Sequence, residues 1–264
     1  MPTVGFPAVV TAAGAATRFR PFSDIVPKEM LPLGRTPAVE HVVIECLEAG
    51  ATEVIVVTRP GDRIVSGHMH ALRAEGLPVS TVEEDLSHGY GNATPLLTLR
   101  ERLTKTTMFA VAFGDDILLA EPRPGYNLAT MHRMCADTEA VVAAAHVDPS
   151  ETRSFGIIDI DSDERLLRIR QRPAPAAVTE PLAVVSRLLL RPSILDRLRP
   201  SDLAGGEVDL GIATSQLATE EHVGVHRIAG HWVTVGDPHR YHHTLTTYWN
   251  LNPNELPATG AQQP

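Results

Sequence analysis

The chain is poor in cysteine: Cys46 and Cys135 are the only two among its 264 residues. Their spacing matches neither zinc sites nor disulfide frameworks, and each sits in an apolar helix-like pattern, so both are expected to be buried, reduced thiols. Positive charge is also scarce. With 23 Lys and Arg against 32 Asp and Glu, the formal net charge is -9. Such a balance repels polyanions at long range, which excludes a general nucleic-acid or anionic-membrane surface and obliges any anionic ligand to meet a local basic patch. No apolar run reaches the ~18 residues of a membrane helix. The opening MPTVGFPAVV lacks a basic segment followed by an apolar stretch and a small-residue cleavage site. A cytoplasmic location without nucleic-acid or membrane partners is the expectation. Internal repeats and a clear domain boundary are also missing.

What is present is ordinary for one large α/β domain: 43% hydrophobic and 21% charged residues, ample for a core. The first half alternates short β-branched runs with helix-period segments. Strands are expected at 7–11, 53–58, 79–83 and 108–113, and helices at 38–49, 62–75 and 92–105. That rhythm predicts βαβ units and a parallel, doubly wound sheet. After a strand at 140–145 the texture changes, with strands at 156–160, 166–170 and 183–190 between polar turns, as in a mixed-sheet extension over the same core. The proline-rich segments 172–177 and 179–181 predict a surface loop able to line a pocket. A short helix at 208–218, strands at 223–228 and 231–235, and a closing helix at 238–251 complete the pattern. The domain is expected over 1–252, in halves 1–118 and 119–252, with a frayed tail at 253–264.

The richest segment is AVVTAAGAATRFRPFSDIVPKEMLPL, where a buried strand runs into Ala12-Ala13-Gly14-Ala15-Ala16-Thr17-Arg18. Small residues let backbone N–H groups approach a phosphate chain, and Arg18 and Lys28, the latter read as an exposed loop lysine, supply cations. A tight turn with surface basic residues has the same composition. The long stretch to Leu33 without regular structure favours function, as such loops in compact domains usually carry it. Phe109–Phe113 ends in Gly114-Asp115-Asp116. Carboxylates at the C-terminal end of a parallel strand stand at the crevice where open α/β sheets bind ligands, and they suit Mg²⁺; a solvated acidic turn or a helix cap is the competing reading. His231, His239, His242 and His243 lie close in sequence without a ligand-like arrangement, which favours solvated or packing roles.

AAGAATRFRP and PKEMLP resemble the signature of the sugar-1-phosphate nucleotidylyltransferases, in particular the bacterial UTP-glucose-1-phosphate uridylyltransferases, whose pattern is A-A-G-x-G-T-R-x-x-P followed by P-K-E-M-L-P. The resemblance runs in collinear order through LEAGATEVIVVT, Gly89-Tyr90-Gly91-Asn92-Ala93, FAVAFGDDI, FGIIDID, IRQRPAP, LAVVSRLLLRP, GGEVDL and VGDP. It implies an α/β fold, a Rossmann-like doubly wound mixed sheet in a single domain with a small sugar-binding β extension. It implies a nucleoside triphosphate and a sugar 1-phosphate as partners, by default UTP and glucose 1-phosphate, with Mg²⁺ and a homodimer or homotetramer. By that resemblance Arg18 and Lys28 are catalytic, and Ala12, Ala13, Gly14, Thr17, Glu84 and Gly89 face the nucleotide. Gln171, Arg172 and Glu207 meet the sugar phosphate, and Asp115 and Asp116 meet the metal.

The departures cluster at the sugar and the metal. Thr234 stands where the family has a metal-binding Asp, so the ion must bind more weakly, use Asp116 or Asp237, or rely on the nucleotide. Gln171-Arg172-Pro173 replaces Glu-Lys-Pro. Glu84 replaces a base-reading Gln, and because a carboxylate only accepts hydrogen bonds it suits the N–H donors of guanine or cytosine. Ala16 replaces a glycine, which is tolerable only at negative φ. These changes leave open the same chemistry with another base and an unusual sugar or cyclitol phosphate, or a binding homologue without turnover.

Overall fold

The computed structural model describes residues 5–202 and 205–255. Strand β1 (Phe6–Ala12) lies in the middle of the sheet. Ala8, Val9 and Val10 are fully buried, and a strand covered on both faces reads as an unbroken apolar run, as FPAVVTA does. Alternate residues serve opposite faces: Ala8, Val10 and Ala12 join one apolar cluster and Val9 joins the other. A small ribbon, β2 (Pro32–Leu33) and β3 (Thr36–Pro37), leads to helix α1 (Ala38–Glu48). Val39, Val42, Val43 and Cys46 recur at helical spacing and pack in the first cluster. Then come β4 (Ala51–Thr58), α2 (Ile64–Ala74) and β5 (Val79–Glu83). Two short helices follow, α3 (Thr94–Thr98) and α4 (Arg100–Leu103), and then β6 (Phe109–Phe113). The single helix expected over 92–105 is thus broken at Leu99, whose backbone leaves the α region at φ -99° and ψ 9°.

The order β6-β1-β4-β5 is parallel throughout. The chain moves from β1 to β4 and β5 on one side, then crosses to β6 on the other. That reversal opens a crevice beyond the C-terminal ends of β1 and β6.

The second half supplies β7 (Asp116–Leu119), α5 (Tyr126–Met134), β8 (Ala140–His146), β9 (Gly156–Ile160), β10 (Leu166–Gln171) and β11 (Leu182–Leu190). It closes with α6 (Leu210–Glu220), β12 (Val223–Arg227), β13 (His231–Thr234) and α7 (Pro238–Leu251). The fold is a doubly wound mixed sheet, as expected, but the extension is continuous with the core sheet. Strand β11 pairs antiparallel with β6 along its C-terminal half, touches β9 at Ala183 and holds β8 on its other edge. The sheet has nine strands among the described residues. Strand β7 and helix α5 had no counterpart in the sequence pattern; among the described residues β7 pairs only with β13, at the register Asp116↔Thr234. At the start of the expected tail, Pro253–Glu255 forms a helical turn, with the Tyr248 hydroxyl donating to Glu255 at 2.7 Å. The remainder of the expected tail lies outside the described residues. Among the described residues no helix is long and apolar enough to cross a membrane. Burial pushes the Cys46 thiol up to about 12 and the Cys135 thiol to about 11, and both are free.

A buried polar cluster crosses this apolar frame. Arg187, fully buried at a register shift in β11, donates from Nε and Nη2 to the two carboxylate oxygens of Glu45 on α1, at 2.8 and 2.6 Å. It also donates to the carbonyls of Asp116 at 2.9 Å and Ser186 at 3.0 Å. Breaking a buried pair strands a charge, so Arg187→Met should lower unfolding free energy by about 3–5 kcal/mol, and adding Glu45→Met should restore much of it. Urea denaturation checks this, and a single substitution costing under about 1 kcal/mol would contradict it.

Candidate active site

The chain leaves β1 into Ala13, Gly14 and Ala15. A side-chain carbon at Gly14 would stand 3.6 Å from the Lys28 amine, so the glycine leaves the space beside that cation open. Ala16 adopts φ 48°, ψ 36°. The condition of a negative φ is therefore not met, and the left-handed alanine costs about 1–2 kcal/mol. Its carbonyl is held by the Phe19 amide at 3.0 Å and the Ser23 hydroxyl at 2.8 Å. Buried Phe19 meets Tyr241 of α7 edge-on, which fixes the loop across the crevice.

The reading of Lys28 as an exposed lysine is overturned. Its side chain is 13% exposed, with Nζ 2.5 Å from Asp115 Oδ2 and 3.9 Å from Glu29 Oε1. Burial works against the charge, but the carboxylates of Asp115 and Glu29 outweigh it and raise the lysine pKa. Glu29 is 1% exposed, its Oε2 buried without a hydrogen-bond partner. Burial pushes its carboxyl up to about 7.

The two aspartates that end β6 have different surroundings. Asp115 lines a cavity of about 270 Å³ and carries the Lys28 amine. Asp116, although at the cavity wall, is buried and accepts the Ser186 hydroxyl. Burial and the neighbouring Asp115 push it up to about 6. Thr234, the register partner of Asp116, donates its hydroxyl to the Asp115 carbonyl at 3.1 Å and accepts from the Gly236 amide at 3.1 Å. The hydroxyl is committed to shaping the turn. Asp237 caps α7 through Arg240 N at 2.9 Å. Among the described residues no three His, Cys, Asp or Glu side chains stand close enough to cage a metal. One cavity-lining carboxylate suits Mg²⁺ that fills its remaining positions with phosphate oxygens and water. The donor set fits an ion carried in with phosphate.

The cavity brings Arg18, Asp115, Asp116, Gln171 and Arg172 together with Asn92, Phe155, Asp209, Trp232 and Arg240. Ala12, Ala13, Gly14, Thr17, Glu84 and Gly89 lie outside its lining. Of these, Ala12 closes β1 and Glu84 follows β5, so the register Ala12↔Thr58↔Glu83 puts both on the edge where the crevice opens. Glu84 takes the Thr94 hydroxyl on one oxygen. Glu207 stands exposed and does not reach the cavity. The carboxylate which that segment delivers is Asp209, the cap of α6, which accepts from Ile212 N at 2.8 Å, Gln171 Nε2 at 3.1 Å and Asn92 Nδ2 at 3.0 Å. Arg172 sits at φ 48° with its N–H on the Phe155 carbonyl at 3.1 Å. Sequence reasoning missed Glu29, Asn92, Phe155, Asp209 and Arg240. Only Asp209 carried a usable signal, as an Asp before a helix.

Glu29 generates a pH prediction. A carboxyl whose pKa rises from 4.5 to about 7 in the fold binds more protons folded than unfolded, so its ionisation erodes stability as pH climbs through that window. Glu29→Gln imitates the neutral form. Its melting temperature should exceed the wild type's at pH 8, and the difference should close by pH 5; a constant difference across the range would refute the reading.

The profile described as "Nucleotidyl transferase" matches residues 7–250. Among curated proteins, the chain is 26% identical over 253 residues to UTP--glucose-1-phosphate uridylyltransferase 1 of Staphylococcus saprophyticus, covering 87% of this chain and 88% of that protein. It is 28% identical over 257 residues to UTP--glucose-1-phosphate uridylyltransferase YngB of Bacillus subtilis, covering 87% and 84%. Among solved structures it resembles a UDP-glucose pyrophosphorylase complexed with UDP-glucose, with TM-score 0.79 and 23% identity over 94% of this chain and 99% of that one. A UTP-bound UGPase from Acinetobacter baumannii gives TM-score 0.76 and 24% identity, covering 93% of each chain. These solved structures share the fold. The profile spans nearly the whole chain, including the loop after β1, the paired aspartates after β6 and the turn into α7, and so this chain belongs to the nucleotidyl transferase family.

Proposed function

We propose that the chain transfers a nucleotidyl group from a nucleoside triphosphate to a sugar 1-phosphate and releases pyrophosphate, with UTP and glucose 1-phosphate as the default pair. The Lys28–Asp115 contact carries the proposal, because it sets a cation from the loop after β1 against a carboxylate from the end of β6, across the crevice of the sheet. Two anionic substrates must meet there, and the names of the related uridylyltransferases supply the substrate class.

The acceptor's phosphate oxygen, already an anion, attacks the α-phosphorus in line; the new P–O bond forms as the bond to the β-phosphate oxygen breaks, and pyrophosphate leaves with that electron pair. No side-chain nucleophile or general base is required. The chain's part is to hold both anions in register and to balance the charge that gathers on the phosphoryl oxygens. The backbone from Ala12 to Gly14 receives the nucleotide beside Thr17 and Glu84, near Gly89. Arg18 and Lys28 face the triphosphate, and Gln171 and Arg172 take the acceptor. Asp115 would hold Mg²⁺, which when bound would supply Lewis-acid neutralisation of the phosphates. Asp115 serves here rather than Asp116, which is buried with the Ser186 hydroxyl on its carboxylate.

A second reading keeps the chemistry and changes the substrates. The Gln171 amide is spent on Asp209 and one Glu84 oxygen on Thr94, which favours a different hydroxyl pattern and a different base. A pyrophosphate-release panel of the five common nucleoside triphosphates against several sugar 1-phosphates tests both. Best turnover with UTP and glucose 1-phosphate supports the default, another best pair supports the second reading, and no turnover with any pair removes both.

Two substitutions probe the residues. Lys28→Ala should cut kcat by about 10²–10³-fold. It should also lower stability by about 1–3 kcal/mol, because Asp115 and Glu29 lose their shared cation; undiminished turnover would remove Lys28 from the reaction. Asp115→Asn should raise the half-saturating Mg²⁺ concentration about tenfold or more, and an unchanged metal titration would place the ion elsewhere.

A further inference from the structure

Arg240, in the first turn of α7, lines the cavity that holds Asp115 and Arg172. It also lines the adjoining cavity of about 630 Å³. Its guanidinium carbon stands 4.4 Å above the Phe155 ring. Nε is 3.6 Å from Asp237 Oδ2 and Nη2 is 3.7 Å from Glu151 Oε1, both too long for good hydrogen bonds. The head is thus held in place by stacking and two loose ion contacts, while its N–H donors make no side-chain hydrogen bond among the described residues. The same Phe155 fixes Arg172, whose backbone N–H it accepts at 3.1 Å. One residue therefore holds the Arg240 guanidinium through its ring face and the Arg172 backbone through its carbonyl, both at a single cavity. Trp232, 4.8 Å from that ring, braces it from the side.

We infer that Arg240 and Arg172 form a two-guanidinium clamp for the acceptor's phosphate, with Phe155 as the positioning residue. Planar guanidiniums match phosphate oxygens better than a lysine ammonium does, and the stacked Arg240 head avoids part of the cost of ordering a side chain on binding. The clamp adds a fixed cation on the side of the cavity where Thr234 contributes only a hydroxyl committed to its own turn. Naming the anion as a sugar phosphate rests on the proposed function; the anion site itself does not.

The experiment titrates inorganic phosphate and glucose 1-phosphate, by calorimetry, into wild type, Arg240→Met, Arg240→Lys and Phe155→Leu, with UTP as control and melting temperature recorded. Arg240→Met should weaken inorganic phosphate by about tenfold or more, Arg240→Lys by less, and Phe155→Leu by an intermediate factor, while UTP affinity stays within about twofold. Unchanged phosphate affinity in Arg240→Met overturns the clamp, as does failure of the wild type to bind phosphate at all. Parallel loss of phosphate, UTP and melting temperature assigns Arg240 to packing and overturns it too. Phosphate binding that depends on Arg240 in a protein that turns over no substrate pair upholds the clamp and sinks the transfer reading. Turnover whose acceptor KM is unmoved by Arg240→Met does the reverse.

Discussion

The buried fork between Arg187 and Glu45 is the contact on which the site's geometry depends. It joins helix α1 to β11 where the antiparallel half of the sheet meets the parallel half, and its spare donor fixes the carbonyl of Asp116. An arginine in an apolar interior is costly unless its charge and donors are met, and here a bidentate carboxylate and two carbonyls meet them. The irregular register of β11 that places Arg187 inward also turns Ser186 toward Asp116. One arrangement therefore sets which aspartate is tied into the protein and which is left at the cavity.

From that fixed point the electrostatics follow. Asp116 and Glu29 are buried carboxyls with raised pKa values, and Lys28 lies among Asp115, Asp116 and Glu29 as the cation that balances them. A cation so placed is oriented before any ligand arrives, which is the condition for stabilising charge without reorganisation. The acceptor side of the cavity is built differently. Asp209, Gln171 and Asn92 form a closed set of hydrogen bonds between the start of α6, the end of β10 and the loop before α3. This set ties those three segments of the cavity wall together.

Much of the frame was legible in the chain. The parallel strands and α1 follow from β-branched runs and 3.6-residue spacing, and the loop after β1 announces itself by small residues followed by Arg18 and Lys28. The second half was harder to read. Strand β7 is only Asp116–Leu119 and pairs with β13, over a hundred residues away, so no local pattern marks it. A single helix over 92–105 is expected because apolar spacing continues through Leu99 and Leu103, both buried, while the backbone breaks at Leu99 itself. Local period reports which side chains face inward and is blind to such a break.

The site divides in the same way. By itself the sequence determined the fold class, the family pattern and the position of Lys28, Asp115 and Arg172 along the chain, because those depend on local spacing and on residue chemistry. Tertiary structure alone decided that Lys28 is buried against Asp115, that Asp209 rather than Glu207 reaches the cavity, and that Phe155 carries Arg240 beside Arg172. Each of those facts is a meeting of segments distant in the chain, set by how sheet and helices pack, and a sequence encodes such meetings only through the fold.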